Sequence, residues 1–232
     1  MTASTAGLAQ RRDPRDAGIR LVLGLAVVFS VLAAAGWLVT GRLSHVWPLR
    51  SEDGVNRALA LHRNHVLNGV SGFFSTLADT PSAILLSAVA FVTIRVLSHR
   101  WSEAVFVATA LVCEVGVFLL TTLVIERPRP AVPHLDASAP PTSSFPSGHV
   151  AASVALYAAV ALVAWRHGAP WPVWALLTVP CAVGFSRLYR GMHHPSDVAA
   201  GVLLGVLCVV LAHHVVLEAC PARPGLMRRD RR

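Results

Sequence analysis

The 232-residue chain contains no lysine; all 20 of its basic residues are arginine. Charge of either sign is scarce, at 14% of residues, where ordinary soluble domains carry about 25%. With 54% hydrophobic residues, that scarcity excludes a typical water-soluble globule. It equally excludes disorder, because so apolar a chain does not stay solvated. Cysteine is rare as well. Cys113, Cys181, Cys208 and Cys220 have no metal-ligand spacing, and the first three sit inside apolar runs. Neither a zinc site nor a disulfide framework is expected, and they read as small buried hydrophobes. The net charge of +8 raises nucleic acid as a partner. The arginines form no stripe interleaved with aromatics, so no nucleic acid is expected.

What the chain does have is long apolar runs. Leu21 to Thr40 carries no charge and is long enough to cross a hydrocarbon core of roughly 30 Å as a helix. Five more runs follow: Pro81 to Leu97, Ala104 to Ile125, Val150 to Trp165, Trp171 to Phe185 and Val198 to Leu217. They predict an all-α, six-transmembrane helix bundle with its chemistry in loops on one membrane face. The expected organisation is a basic tail over 1–20, a six-span domain over 21–218 and a second basic tail over 219–232. All six tryptophans fall at or near run ends, as interfacial aromatics do. Ala33-Ala34-Ala35 resembles a signal-peptide cleavage site, but the run continues to Thr40, which favours a retained span. Pro180 is expected to kink the fifth span. Gly201 and Gly205 form a GxxxG that suits packing within the bundle as well as dimerisation, and the oligomeric state stays open. Val55, Leu59, Val66, Val70, Phe73 and Leu77 suit a helix lying on the membrane surface. Past Gly69 and Gly72 a polar loop is an equal reading.

With six spans both termini share one side, which collects twelve arginines against eight on the other. The positive-inside rule then makes this a multi-pass cell-membrane protein with cytoplasmic termini. Glu114 lies mid-span, where a hydrogen-bonded packing role is expected. His213 and His214 read as interfacial, and Arg95 as a snorkelling residue.

Three polar clusters fall at run ends on the opposite, extracytoplasmic face: Glu126-Arg127-Pro128-Arg129-Pro130, Pro146-Ser147-Gly148-His149, and Ser186-Arg187 followed by His193 and Asp197. Two arginine forks and the free N–H groups of a helix start at Gly148 and His149 make an oxyanion cradle. Gly148 lets the backbone approach a ligand closely. A histidine beside an aspartate is an oriented nucleophile or base, and a second histidine can serve as acid. The clusters hold no carboxylate pair for magnesium, so metal-free phosphoryl transfer without a cofactor is expected. His134 and Asp136, in the loop before the second cluster, are candidates for touching a headgroup.

On these residues the sequence resembles the phosphatidic acid phosphatase type 2 family, membrane lipid phosphatases related to vanadium haloperoxidases. Pro146-Ser147-Gly148-His149 matches the family's second motif in full. Ser186-Arg187, His193 and Asp197 match its third, with Tyr189 and Gly191 between. Arg129-Pro130 closes the first motif, Lys-x6-Arg-Pro, but its lysine position is Thr122. Arg127 is a candidate replacement charge; its other reading is a solvent-facing neighbour of Glu126. The resemblance implies that His193 attacks phosphorus to form a phosphohistidine, with Asp197 orienting its ring. It implies that His149 protonates the leaving oxygen and later activates water. Arg129, Arg187, Ser147 and Gly148 would hold the phosphoryl oxygens, with Arg127 and Thr122 as further contacts. The implied substrate is a membrane lipid phosphate or diphosphate, such as polyprenyl diphosphate, phosphatidic acid or phosphatidylglycerophosphate. The alternatives are a lipid phosphotransferase, or a catalytically impaired phospholipid-binding protein on account of Thr122.

Overall fold

The computed structural model describes residues 14–136 and 143–218. The tail over 219–232, Cys220 and residues 1–13 of the N-terminal tail lie outside the described residues. The runs rich in Leu, Val and Ala become helices. They are α1 (Pro14–Trp37), α2 (Glu52–Leu61), α3 (His65–Leu77), α4 (Thr80–Ser98), α5 (Trp101–Val124), α6 (Gly148–Arg166), α7 (Thr178–Tyr189) and α8 (Pro195–Ala212). A short π-helical turn extends α1 over Leu38–Arg42, and another extends α8 over His213–Leu217. Residues 14–20, assigned to the tail by composition, form the first turns of α1.

Among the described residues five helical segments are long and apolar enough to cross a membrane: Arg15–Arg42, Thr80–Ser98, Trp101–Val124, Gly148–Arg166 and Pro195–Leu217. The expectation of six continuous spans changes at the fifth run. Trp171–Leu177 is a 3-10 helix, and only from Thr178 does α7 begin. Proline is the reason. Pro172 sits at the start of the 3-10 segment, and Pro180 falls in the first turn of α7, where a backbone N–H has no intrahelical acceptor. Pro180 therefore helps to start a short helix instead of kinking a long one.

The amphipathic stretch forms two helices, not one. Asn64 breaks them apart and caps α3, its Oδ1 accepting the Leu67 N–H at 2.9 Å. α3 runs through Gly69 and Gly72 to Leu77, so the polar-loop reading does not hold there. The pair is inverted relative to a soluble amphipathic helix. Glu52, Asn56, Ser71 and Ser75 face inward and are buried, while Val55, Leu61, Val66, Val70 and Phe73 are exposed.

The core lies between α5, α6 and α8, with Phe106, Val107, Ala110, Ala155, Ala159 and Ala212 among its buried residues. The GxxxG is used inside the bundle. A Cβ on Gly201 would come within 2.6 Å of the Ser147 carbonyl oxygen, and one on Gly205 within 2.7 Å of the Ala151 carbonyl oxygen. The backbones of α6 and α8 thus meet without side chains between them. By contrast α4 turns Ile84, Leu85, Val89, Val92 and Val96 outward. All six tryptophans are exposed, as expected of an interfacial girdle.

Candidate active site

The three sequence clusters meet at one end of the bundle. The Ser144 N–H donates to the Arg127 carbonyl at 3.1 Å, and the Ser147 N–H to the Asp197 carbonyl at 3.0 Å. These bonds lace the loop after α5 to the starts of α6 and α8.

His193 is almost fully buried, and its Nδ1 lies 2.7 Å from the Ser144 carbonyl oxygen. A carbonyl only accepts, so Nδ1 carries the hydrogen and Nε2 keeps its lone pair. Burial, reinforced by the charges of Arg187 and Arg129, holds the imidazole well below its ordinary pKa, against a smaller opposing effect from Asp197. The ring is neutral near pH 7.

Asp197 does not bond the His193 ring, contrary to the role the resemblance implied for it. Its Oδ2 accepts from the Ser144 hydroxyl at 2.6 Å and from the His194 N–H at 2.8 Å. Its Oδ1 accepts from Arg127 Nη1. The carboxylate caps α8 and grips the side chain of Ser144, whose carbonyl in turn grips the ring. Orientation passes through Ser144.

His149 donates from Nε2 to Asp79 Oδ1 at 2.8 Å, which leaves Nδ1 as its other proton-transfer atom. Asp79 is the residue that precedes α4. It escaped the sequence reading, although an aspartate two residues before Pro81 is a recognisable helix-start signal. Its partner 70 positions away is not.

Two donors at the site are buried and have no partner among the described residues: Ser147 Oγ and Arg187 Nε. Ser147 is the N-cap of α6, yet makes no side-chain cap bond. Gly148 follows, where a Cβ would come within 2.8 Å of the Phe118 ring, so the start of α6 packs flush against α5. Arg187 gives Nη1 to Ser75 Oγ at 2.6 Å and to Asp136 Oδ2 at 2.8 Å. Arg129 gives Nη1 to the Met192 carbonyl at 2.6 Å. A helix N-terminus, two arginines and unpaired buried donors together are the chemistry of oxyanion recognition.

The remaining candidates fall elsewhere. Thr122 gives its hydroxyl to the Leu119 carbonyl within α5 at 2.8 Å. Arg127 fits neither of its two readings. It is buried, with Nη2 on Glu52 Oε2 at 2.8 Å and Nη1 on Ser196 Oγ at 2.7 Å and on Asp197. Its guanidinium props up Asp197. His134 bonds the Pro130 carbonyl at 3.0 Å, and Glu114 is buried in the middle of α5.

α2 and α3 also serve the site, which their surface periodicity did not announce. Glu52 accepts the Ser196 N–H at 2.7 Å, and Asn56 Nδ2 donates to the His193 carbonyl at 3.0 Å. Arg63 donates to the Tyr189 carbonyl from Nε and Nη2, at 3.1 and 2.9 Å. The segment between α7 and α8, which carries His193, turns sharply at Gly191 (φ 76°) and is held from outside by α2 and by Arg63 in the linker before α3.

Residues 102–219, just over half of the chain, match the model of the PAP2 superfamily. The chain is 29% identical over 150 residues to the undecaprenyl-diphosphatase BcrC of Bacillus subtilis, covering 63% of this chain and 73% of that protein. It is 37% identical over 92 residues to a decaprenylphosphoryl-5-phosphoribose phosphatase of Mycobacterium tuberculosis, covering 39% of this chain and 48% of that protein. In fold it resembles the PAP2-type phosphatidylglycerolphosphate phosphatase of Bacillus subtilis, with TM-score 0.66, 23% identity, and 83% and 94% of the two chains covered. LpxE of Aquifex aeolicus is similar at TM-score 0.56 and 22% identity, covering 69% of this chain and 93% of that one.

Proposed function

The chain belongs to the PAP2 superfamily of membrane phosphatases, and we propose that it hydrolyses a lipid phosphate or diphosphate through a phosphohistidine on His193, at the extracytoplasmic face of the membrane. The observation that carries this reading is the buried, neutral His193 with Nδ1–H fixed on the Ser144 carbonyl, beside buried oxyanion donors without partners.

In the first step His193 Nε2 attacks phosphorus in line. The N–P bond forms as the bond to the lipid oxygen breaks, and that oxygen takes the proton from His149 Nδ1. Positive charge arising on the His193 ring is met by the Ser144 carbonyl, which Asp197 and Arg127 hold in place. The equatorial oxygens fall to Arg187, Arg129, Ser147 Oγ and the N–H groups at the start of α6. In the second step water gives a proton to His149 Nδ1 and its oxygen to phosphorus. The N–P bond breaks and phosphate leaves. Every proton-transfer and anion-binding role is assigned to a residue of this chain, so the reaction is proposed to need no metal.

A polyprenyl diphosphate is the substrate we favour, in keeping with the relatives named for undecaprenyl and decaprenyl lipids. The expected result is phosphate release from a panel of polyprenyl diphosphate, phosphatidic acid and phosphatidylglycerophosphate by the purified protein, undiminished by EDTA. Release that appears only when a lipid acceptor is added would favour the phosphotransferase reading instead. Vanadate binding without any turnover would favour the impaired binding protein.

A further inference from the structure

Asp136 lies outside the three motifs, yet its carboxylate is the most heavily contacted acidic group beside Arg187. Oδ2 accepts from Arg187 Nη1 at 2.8 Å and from Ser75 Oγ at 3.1 Å. Oδ1 accepts from Arg190 Nε at 2.8 Å and from Arg190 Nη2 at 2.5 Å. The two arginines are three residues apart at the end of α7, so without an anion between them their like charges repel. The loop is tied at a second point, where the Leu135 N–H donates to the Arg190 carbonyl at 3.1 Å and Arg190 Nη2 returns to the Leu135 carbonyl at 3.1 Å.

The edge of Arg187 that Asp136 takes decides its role. Nη1 has two hydrogens, and Ser75 and Asp136 accept both. Nε stays buried without a partner among the described residues. An anion competing with substrate for Arg187 would sit on the Nε edge. A carboxylate on Nη1 alone fixes the plane of the guanidinium and leaves that edge to a ligand. Arg187 lies near enough to His193 for its charge to disfavour the protonated ring.

We propose that Asp136 is a positioning residue: it pins Arg187 through Nη1 so that the Nε edge is presented to the phosphoryl group in the transition state. The proposal rests on the lipid phosphatase reading. Asp136 touches no reacting atom and acts through Arg187. A donor misplaced by about 1 Å loses on the order of 100-fold in rate, so the effect belongs in kcat.

The test uses the full-length protein in detergent, as wild type, Asp136→Asn and Asp136→Glu. Steady-state kinetics on the lipid phosphate panel are combined with direct binding of vanadate and of inorganic phosphate. Asp136→Asn is expected to lower kcat by about 10- to 100-fold with KM within about twofold. It should weaken vanadate, which takes the trigonal-bipyramidal shape, more than phosphate. Asp136→Glu, which keeps the charge, is expected to recover part of kcat. Should Asp136→Asn fail to fold, Ser75→Ala removes the other Nη1 partner, and the same kcat-specific loss is expected at smaller size. Unchanged kcat overturns the proposal, as does tighter phosphate binding by Asp136→Asn, which would make Asp136 a competitor. A loss in KM alone overturns it too. A wild-type protein that releases no phosphate from any lipid would remove the parent reading; an active wild type with an indifferent Asp136→Asn removes only this one.

Discussion

The two ends of the bundle carry similar inventories of polar residues and put them to different use. At one end stand His149 with Asp79, His193, and Asp197 with Arg127. At the other stand His167 with Glu103 at 2.7 Å and His214 with Glu218 at 2.5 Å. Each end has histidine–carboxylate pairs of good geometry, so pairing alone does not make a catalytic site. Two differences separate them. The site end is buried, with His193 at 3% exposure, whereas His214 is at 59%. Among the described residues the buried donors without partners also differ in place: Ser147 Oγ and Arg187 Nε stand with the motifs at the start of α6 and the end of α7, whereas Arg95 Nε and Arg166 Nε at the other end sit in the last turns of α4 and α6, where the helix dipole disfavours an anion. Among the described residues His213, His214 and Glu218 are the one group near enough together to share a metal ion, and they lie at the end away from Arg129 and Arg187.

Substitutions can break this contrast, beginning with the largest effect. His193→Ala removes the proposed nucleophile and is expected to abolish phosphate release while leaving the protein folded in detergent; full turnover by this variant would remove the assignment. His149→Ala takes away the general acid, worth about 10²–10⁴ in rate, so slow but measurable turnover is expected in a long-timecourse assay. Arg127→Met leaves Asp197 and Glu52 buried without their cation. Breaking such a pair costs about 3–5 kcal/mol, and a clear fall in thermal unfolding temperature should accompany lost activity. Its counterpart at the other end, His214→Ala, touches one exposed pair and is expected to leave both activity and melting temperature unchanged.

The pH profile sharpens the same contrast. In the proposed attack His193 must be neutral, and its folded pKa lies well below the 6.5 of a free imidazole. As pH falls below 6.5 the unfolded chain takes up a proton that the buried ring refuses. The stability attached to this residue is therefore complete above 6.5 and declines on acidification, by up to about 1.4 kcal/mol per pH unit. The acid limb of kcat/KM is accordingly expected below pH 6.5. A limb at or above 6.5 would mean that burial does not keep the His193 ring neutral.

Much of this was legible in the chain because apolar run length and short motif spacing are local signals. The five long spans and the convergence of His149, Arg187 and His193 follow from them. The fifth run was not, since hydropathy counts Pro172 and Pro180 as neutral interruptions whereas the backbone cannot make α-helix through them. The supporting residues were hidden for another reason. Glu52, Asn56, Asp79 and Ser144 act through partners 49 to 144 positions away, as does Asp136, which was read as a headgroup contact and instead bonds Arg187 51 positions on, and neither a helical nor a strand period reports a pairing at that range. Arg127 was visible as a charge beside the motif, but its orientation away from the phosphate side was set by Glu52, on a helix read as lying on the surface.

The close approach of α6 and α8 at Gly201 and Gly205 has a mechanical consequence. One helix starts with Gly148 and His149, proposed to hold and protonate the phosphate, and the other starts two residues after His193, the proposed nucleophile. With backbone against backbone, no side-chain rotamer can absorb relative sliding, so lateral pressure or a change of bilayer thickness moves the pair as one body. The spacing of His149 and His193 is therefore expected to depend little on the thickness of the surrounding bilayer.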